Sequence, residues 1–355
     1  MIKVLVGLSG GVDSSVAASL LREQGHEVTG CFMKNWEDDD GSPYCSIKED
    51  FLDAAHVAQK LNIDLIQLNF SQEYKKNVFS YFLEGLNQGR TPNPDIYCNK
   101  YIKFKEFISY AEINNFDAIA TGHYCRTSDS LKTNDTYLLK GLDERKDQTY
   151  FLNQIEKDIL KKCIFPIGNL KKSQVRALAK ERNLITYDKK DSTGICFIGE
   201  RPFPEFLSNY LPLNEGPIED EKGLEIGTHK GLYFYTLGQR QGLGIGGLKD
   251  KEEKPWYVAK KIHEENKIIA VQETDHPLLL NNKISCKNIN WLKRPEKNNL
   301  TAKIRYRQKD QTCTIEEKEG FYQIKFDEAQ RAVTPGQFIV FYENNICLGG
   351  GEIDL

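Results

Sequence analysis

Apolar and polar positions change period several times along the first 124 residues, and each change marks an element. Residues 2–8, Ile-Lys-Val-Leu-Val-Gly-Leu, form an apolar run of strand length. A turn of small residues follows. From Asp13 or Ser14 the spacing becomes helical and runs through Leu20 and Leu21 to about Gln24. The pattern then predicts a strand over 27–33 and a polar loop over 35–46. A helix over 48–61 comes next, with Phe51, Leu52, Ala55, Ala58 and Leu61 on one stripe. A strand over 65–68 and a helix over 72–86 lead to a loop over 87–99 stiffened by Pro92 and Pro94, then a helix over 100–114 and a strand over 118–121. Strands alternating with helices predict a doubly wound parallel α/β sheet, whose ligands bind at the carboxyl ends of the strands. Ser9 to Ser14, Met33, the segment before Cys98, and Gly122 are thereby expected on one rim.

Beyond Gly122 the pattern changes. Residues 126–142 read as a β-hairpin, and Lys146-Asp147-Gln148 as a polar turn entering a short helix. A helix over 173–183 precedes a loop around Cys196, and one short helix over 203–210 follows. A glycine-rich section then runs to about 278. Its Gly242-Leu243-Gly244-Ile245-Gly246-Gly247 string reads as turns, because no helical pattern follows it. Strands are predicted over 303–306, 312–316, 322–326 and 337–342, as in a small β-barrel or sandwich. The expected division is a catalytic α/β domain over 1–200, a small β-rich central domain over 201–278 and a C-terminal β-barrel over 279–355.

Composition narrows the setting. Of 355 residues, 39% are hydrophobic and 28% charged, as in a globular chain, and no apolar run is long enough to span a bilayer. The start of the chain enters the first strand without signal-peptide architecture, so a cytoplasmic location is expected. Nine scattered cysteines without a Cys-x-x-Cys pair argue against a zinc ribbon or a disulfide framework, and no metal site is expected. The net charge of −3 makes basic stretches local. Residues 140–182 hold eleven Lys/Arg against six Asp/Glu, and residues 283–309 hold nine against one, a balance that favours a polyanion.

Two groups of residues carry candidate chemistry. In the first turn, Gly10 and Gly11 permit positive φ and close approach of the backbone, Ser9, Ser14 and Ser15 supply hydroxyls, and the helix offers unpaired N–H groups. That is a phosphate cradle. It is neither a Walker A loop, for want of Gly-Lys-Ser/Thr, nor Gly-x-Gly-x-x-Gly. The full Ser-Gly-Gly-Val-Asp-Ser string resembles the PP-loop of the ATP pyrophosphatases, which split ATP between its α and β phosphates to form adenylates. The second group is Cys98 and Cys196. Both are expected in polar loops beside lysines (Lys100, Lys103 and Lys105; Lys189 and Lys190), a setting that favours thiolate.

Thr-Pro-Asn-Pro-Asp-x-x-Cys-Asn, Thr-Gly-His-Tyr, Lys-Asp-Gln-Thr-Tyr-Phe-Leu and Ser-Thr-Gly-Ile-Cys-Phe-Ile-Gly follow that string in order. The set resembles the bacterial tRNA-specific 2-thiouridylases of the PP-loop superfamily, from residue 4 through Arg305-Tyr306-Arg307 and Val333-Thr334-Pro335-Gly336-Gln337. The resemblance implies that ATP, with Mg2+ near Asp13, is held by Gly7, Leu8, Ser9, Gly10, Gly11, Val12, Asp13, Ser14, Met33 and Gly122. It implies that Asn93, Pro94 and Asp95 meet a wobble uridine flipped out of a tRNA. It further implies adenylation at the C2 oxygen, a persulfide on Cys196, attack by Cys98 through thiol exchange, and Asp95 as acid or base. Lys146, Asp147, Gln148, Arg305 and Tyr306 would contact tRNA, and His123 is expected to be structural. The sulfur donor would be a cysteine desulfurase or a relay protein, and a monomer is expected.

Three alternatives stay open on the sequence. A synthetase with the same loop would adenylate a small molecule. A nucleotide-binding regulatory module would do no chemistry. Asp95, Cys98 and Cys196 could instead hold an iron–sulfur cluster, although the persulfide route is preferred.

Overall fold

A computed structural model describes residues 1–37, 47–128, 135–191, 203–245 and 254–354. The N-terminal part is built on a parallel sheet of β1 (Lys3–Gly7), β2 (Glu27–Lys34), β3 (Asp64–Asn69), β4 (Ala118–Ala120) and a short strand, Cys163–Ile164, in the order β3-β2-β1-β4-short strand. Helices α1 (Val12–Glu23) and α2 (Ile47–Leu61) follow β1 and β2. The α/β reading therefore holds. The stripe assigned to α2 is off by part of a turn: Ala54, Val57 and Ala58 are buried and Leu52 is exposed.

Two long helices complete this layer. One, α3, runs over 71–87 and the other, α4, over 94–113. Each contains a wider turn with i→i−5 hydrogen bonding, as where Phe107 N–H donates to Ile102 O. Such turns are frequent at functional sites. The helix expected from Lys100 thus begins six residues earlier, at Pro94. Asn93 accepts from Ile96 N at 3.4 Å as N-cap, and Pro94 occupies the first turn, where its missing N–H costs nothing.

A central four-stranded sheet follows, made of Gly216–Glu219, Glu225–His229, Trp256–Ile262 and Lys267–Gln272. Six antiparallel strands then close into a barrel: Leu280–Trp291, Asn299–Lys303, Gln311–Lys318, Phe321–Arg331, Phe338–Glu343 and Ile346–Asp354, with the first pairing to the last. The strand expected over 303–306 ends at Lys303, so Arg305 and Tyr306 lie in the turn beyond it. The predicted hairpin is present as Cys125–Thr127 paired with Leu138–Lys140. It also joins the barrel, with Leu138 and Leu139 opposite Cys347 and Ile346.

One hydrophobic core crosses the domain boundary. It combines Leu5, Cys31, Ile96, Phe104, Phe107 and Ile119 of the α/β layer with Leu292, Phe338, Val340, Tyr342 and Cys347 of the barrel.

Candidate active site

The first strand-to-helix turn is held from within. Ser14 Oγ lies 3.2 Å from both Ser9 N and Ser9 Oγ and donates to Gly11 O at 3.1 Å, while Ser15 Oγ donates to Gly11 O at 2.8 Å. Of the two glycines, Gly10 alone takes positive φ (74°), whereas Gly11 is the extended N-cap of α1 at −96°. No side chain caps α1, which leaves its first N–H groups available to an anion. Met33 and Gly122 border this loop. Met33 Cε comes within 3.2 Å of where a Cβ on Gly7 would lie, and a Cβ on Gly122 would meet Ser14 N at 2.7 Å. Gly122 is thus the close approach that lets the end of β4 touch the start of α1.

Asp13 has partners that the sequence did not suggest. Its carboxylate accepts from Lys172 Nζ at 2.7 and 2.8 Å and from Tyr124 OH at 2.7 Å. Lys172 also reaches Asp191 at 2.7 Å. Asp191 in turn takes Lys146 at 2.6 Å and Arg176 at 3.0 Å. Burial pushes the Asp191 carboxyl up, but the hydrogen bonds and charges of Lys146 and Lys172 outweigh it and hold the group at about 2. In the sequence Lys172 was one of the eleven basic residues over 140–182, just before the predicted helix over 173–183, and nothing singled out Asp191.

Asn93, Pro94 and Asp95 form the start of α4, on a loop clamped by the barrel. Thr91 N donates to Pro335 O at 2.8 Å, Gln337 Nε2 to Thr91 O at 2.7 Å, and Asn93 Nδ2 to Gln337 Oε1 at 3.4 Å. Beside them Glu352 takes Arg90 at 2.6 Å, Tyr97 OH at 3.1 Å and Tyr81 OH. Cys98 lies on α4, not in a loop. It is fully buried among Trp36, Tyr74, Phe79, Phe206 and Leu207, the last two from the helix Phe203–Ser208. Two of the lysines expected to activate it face elsewhere: Lys100 and Lys105 lie 5.3 and 5.9 Å from the Tyr101 ring. Cys196 falls outside the described residues, so neither the cysteine pair nor the cluster alternative can be placed.

The two segments expected to meet tRNA come together. The Tyr306 ring lies tilted against Phe151 at 48° with centroids 4.4 Å apart, and its OH reaches Lys146 O at 3.4 Å. Arg305 Nη2 donates to Ala332 O at 2.7 Å. Gln148 Oε1 accepts from Tyr124 N at 2.9 Å. Asp147 is buried beneath the turn, accepting from Gly141 N at 3.1 Å and from Thr149 Oγ1 at 2.9 and 3.0 Å. Its charge faces Lys303 at 3.6 Å.

A parallel doubly wound sheet with an uncapped Ser-Gly-Gly-Val-Asp-Ser helix start defines a nucleotide-binding α/β enzyme of the PP-loop class. Family models match in three consecutive blocks: tRNA methyl transferase HUP domain over residues 2–200, tRNA methyl transferase PRC-barrel domain over 204–272, and aminomethyltransferase beta-barrel domain over 281–353. The tRNA-specific 2-thiouridylase MnmA of Francisella tularensis subsp. novicida (strain U112) is 55% identical over 355 residues, covering 99% of both chains. That of Francisella tularensis subsp. tularensis (strain SCHU S4 / Schu 4) matches to the same extent. The chain belongs to the tRNA-specific 2-thiouridylase family. Among solved structures, NMN synthetase from Francisella tularensis is 22% identical with a TM-score of 0.36, over 57% of this chain and 71% of that one. A 4-thiouridine synthetase in complex with RNA and ATP is 17% identical with a TM-score of 0.34, over 59% and 50%. Among the described residues no helix is long and apolar enough to cross a membrane.

Proposed function

We propose that this chain replaces oxygen by sulfur at C2 of a wobble uridine in tRNA, at the cost of one ATP. The observation that carries the reading is the uncapped Ser-Gly-Gly-Val-Asp-Ser helix start in a chain of this family, which also holds Asn93 to Asp95 on a loop clamped by the barrel. ATP is the co-substrate on Gly7 to Ser14, with Met33 and Gly122 at its adenosine. Asp13 offers carboxylate oxygens of the kind Mg2+ takes, both held by Lys172 in this structure; released from Lys172 it would share in Mg2+, which would neutralise phosphate charge there.

The uridine C2 oxygen attacks the α phosphorus, and the bond to pyrophosphate breaks. The terminal sulfur of a Cys196 persulfide then attacks C2 and expels AMP with the former carbonyl oxygen. Cys98 as thiolate attacks the Cys196 sulfur, which leaves the thiocarbonyl on the base and a Cys98–Cys196 disulfide. A thiol reductant returns both cysteines to the reduced state. Asp95 serves the proton at N3 or the leaving oxygen. The sulfur reaches Cys196 from a cysteine desulfurase or a relay protein, and the enzyme works as a cytoplasmic monomer.

A single-turnover assay tests this, with unmodified tRNA, ATP, Mg2+, a cysteine desulfurase and labelled cysteine. Wild type is expected to place label in the wobble uridine. Cys98→Ser should retain it as a persulfide on Cys196, and Cys196→Ser should hold none. No label in tRNA with ATP binding intact would return the chain to small-molecule adenylation.

A further inference from the structure

Asp191 is a carboxylate with more cations than it needs. Lys172, Lys146 and Arg176 lie within 3.0 Å of it, and Lys172 is shared with Asp13 on the phosphate loop. Lys172 is largely buried and cannot leave one partner without moving toward the other. Lys146, on the turn that packs against Tyr306, is more exposed and can be drawn away by a phosphodiester. One chain of ion pairs thus joins the nucleotide loop, the first residue before the Cys196 segment and the tRNA turn. Resting on the function proposed above, we propose that Asp191 is a positioning residue that couples the two substrates by redistributing Lys172.

The sign follows from charge. Without tRNA, Lys146 offsets part of the Asp191 charge, and Lys172 rests between Asp191 and Asp13. A tRNA phosphate that takes Lys146 leaves Asp191 short of one cation. Asp191 then pulls Lys172 harder, and Asp13 is released to face the nucleotide and its cation. The two states differ in which carboxylate holds Lys172, and each substrate prefers the same one. Coupling of this kind is reciprocal: tRNA must tighten ATP as much as ATP tightens tRNA.

The test is a binding cycle with unmodified tRNA and a methylene-bridged ATP analogue that cannot be cleaved. For wild type, each ligand is expected to tighten the other by about 5- to 10-fold. Asp191→Asn should bring that factor to one while tRNA alone binds at least as well, because Lys146 is freed. Asp191→Glu should restore the coupling. Lys146→Met should weaken tRNA, yet bind the analogue without tRNA as tightly as wild type does with it. Wild-type coupling in Asp191→Asn overturns the proposal. So does a Lys146→Met protein whose analogue affinity is unchanged, or an Asp191→Asn protein that loses both ligands alike and melts earlier. Labelled-sulfur transfer by wild type reads the parent function separately: transfer without coupling sinks this proposal alone.

Discussion

His123 follows the glycine that touches the phosphate loop, and its ring is buried with Nδ1 2.8 Å from Thr121 Oγ1. Burial, helped by the charge of Lys103, lowers it from 6.5 to about 3. Such a group binds its proton mainly in the unfolded chain. Its contribution is therefore complete above pH 6.5 and is lost as pH falls from 6.5 toward 3, by up to about 1.4 kcal/mol per pH unit. Urea unfolding at pH about 7.5 and about 5 is expected to show wild type losing about 2 kcal/mol more than His123→Asn. Equal losses would mean that the ring is not held neutral. The structural role given to His123 by the sequence agrees with its burial. What the sequence could not supply at this scale was pairing. Lys172 and Asp191 are far from Asp13 along the chain, and no local pattern announces that their charges meet.

The loop over 88–93, which holds Pro92, is tied to the barrel at Thr91 and Asn93. Gly336, at φ +90°, sits so close that a Cβ there would lie 2.9 Å from the Thr91 carbonyl carbon. Gly336→Ala combines that clash with a strained backbone and should push Thr91 to Asn93 off Gln337. Sulfur transfer to tRNA is expected to fall by more than about 10-fold, while binding of the ATP analogue stays as in wild type, since α1 and β1 are untouched. Loss of nucleotide binding as well would place the damage in the fold. The start of α4 was legible in principle. Asn-Pro-Asp is an N-cap followed by proline, but two prolines in three residues read more readily as loop. The clamp itself was not legible, because Val333 to Gln337 carries no pattern that names Thr91 as its partner.

At the level of the whole molecule, the sequence divided the chain cleanly where the structure joins it. Alternating periods revealed the α/β layer and turn-separated strands revealed the barrel. The shared core was invisible because the buried residues of each part look like those of a self-sufficient domain. The hairpin at 125–140 was likewise visible, but not that its second strand, Leu138–Lys140, pairs with Ile346 and Cys347. With Leu292, Phe338, Val340 and Tyr342 completing the core around Leu5 and Phe107, the α/β layer and the barrel should unfold together. Calorimetry is expected to show one transition for these two parts, and a fragment of residues 1–200 should bind a hydrophobic dye that the full chain does not. A fragment that is compact and dye-free would show that the layer stands alone.

The same core bears on how the chain is made. Glu352, which gathers Arg90, Tyr81 and Tyr97, lies 271 residues beyond Tyr81. The nucleotide layer therefore leaves the ribosome with one flank open and waits through most of translation for the strand that covers it. During that wait its apolar flank is surface for chaperones to hold or for neighbouring nascent chains to stick to. A nonsense codon before Ile346 would remove few residues, but it would leave both the barrel and the nucleotide layer unfinished.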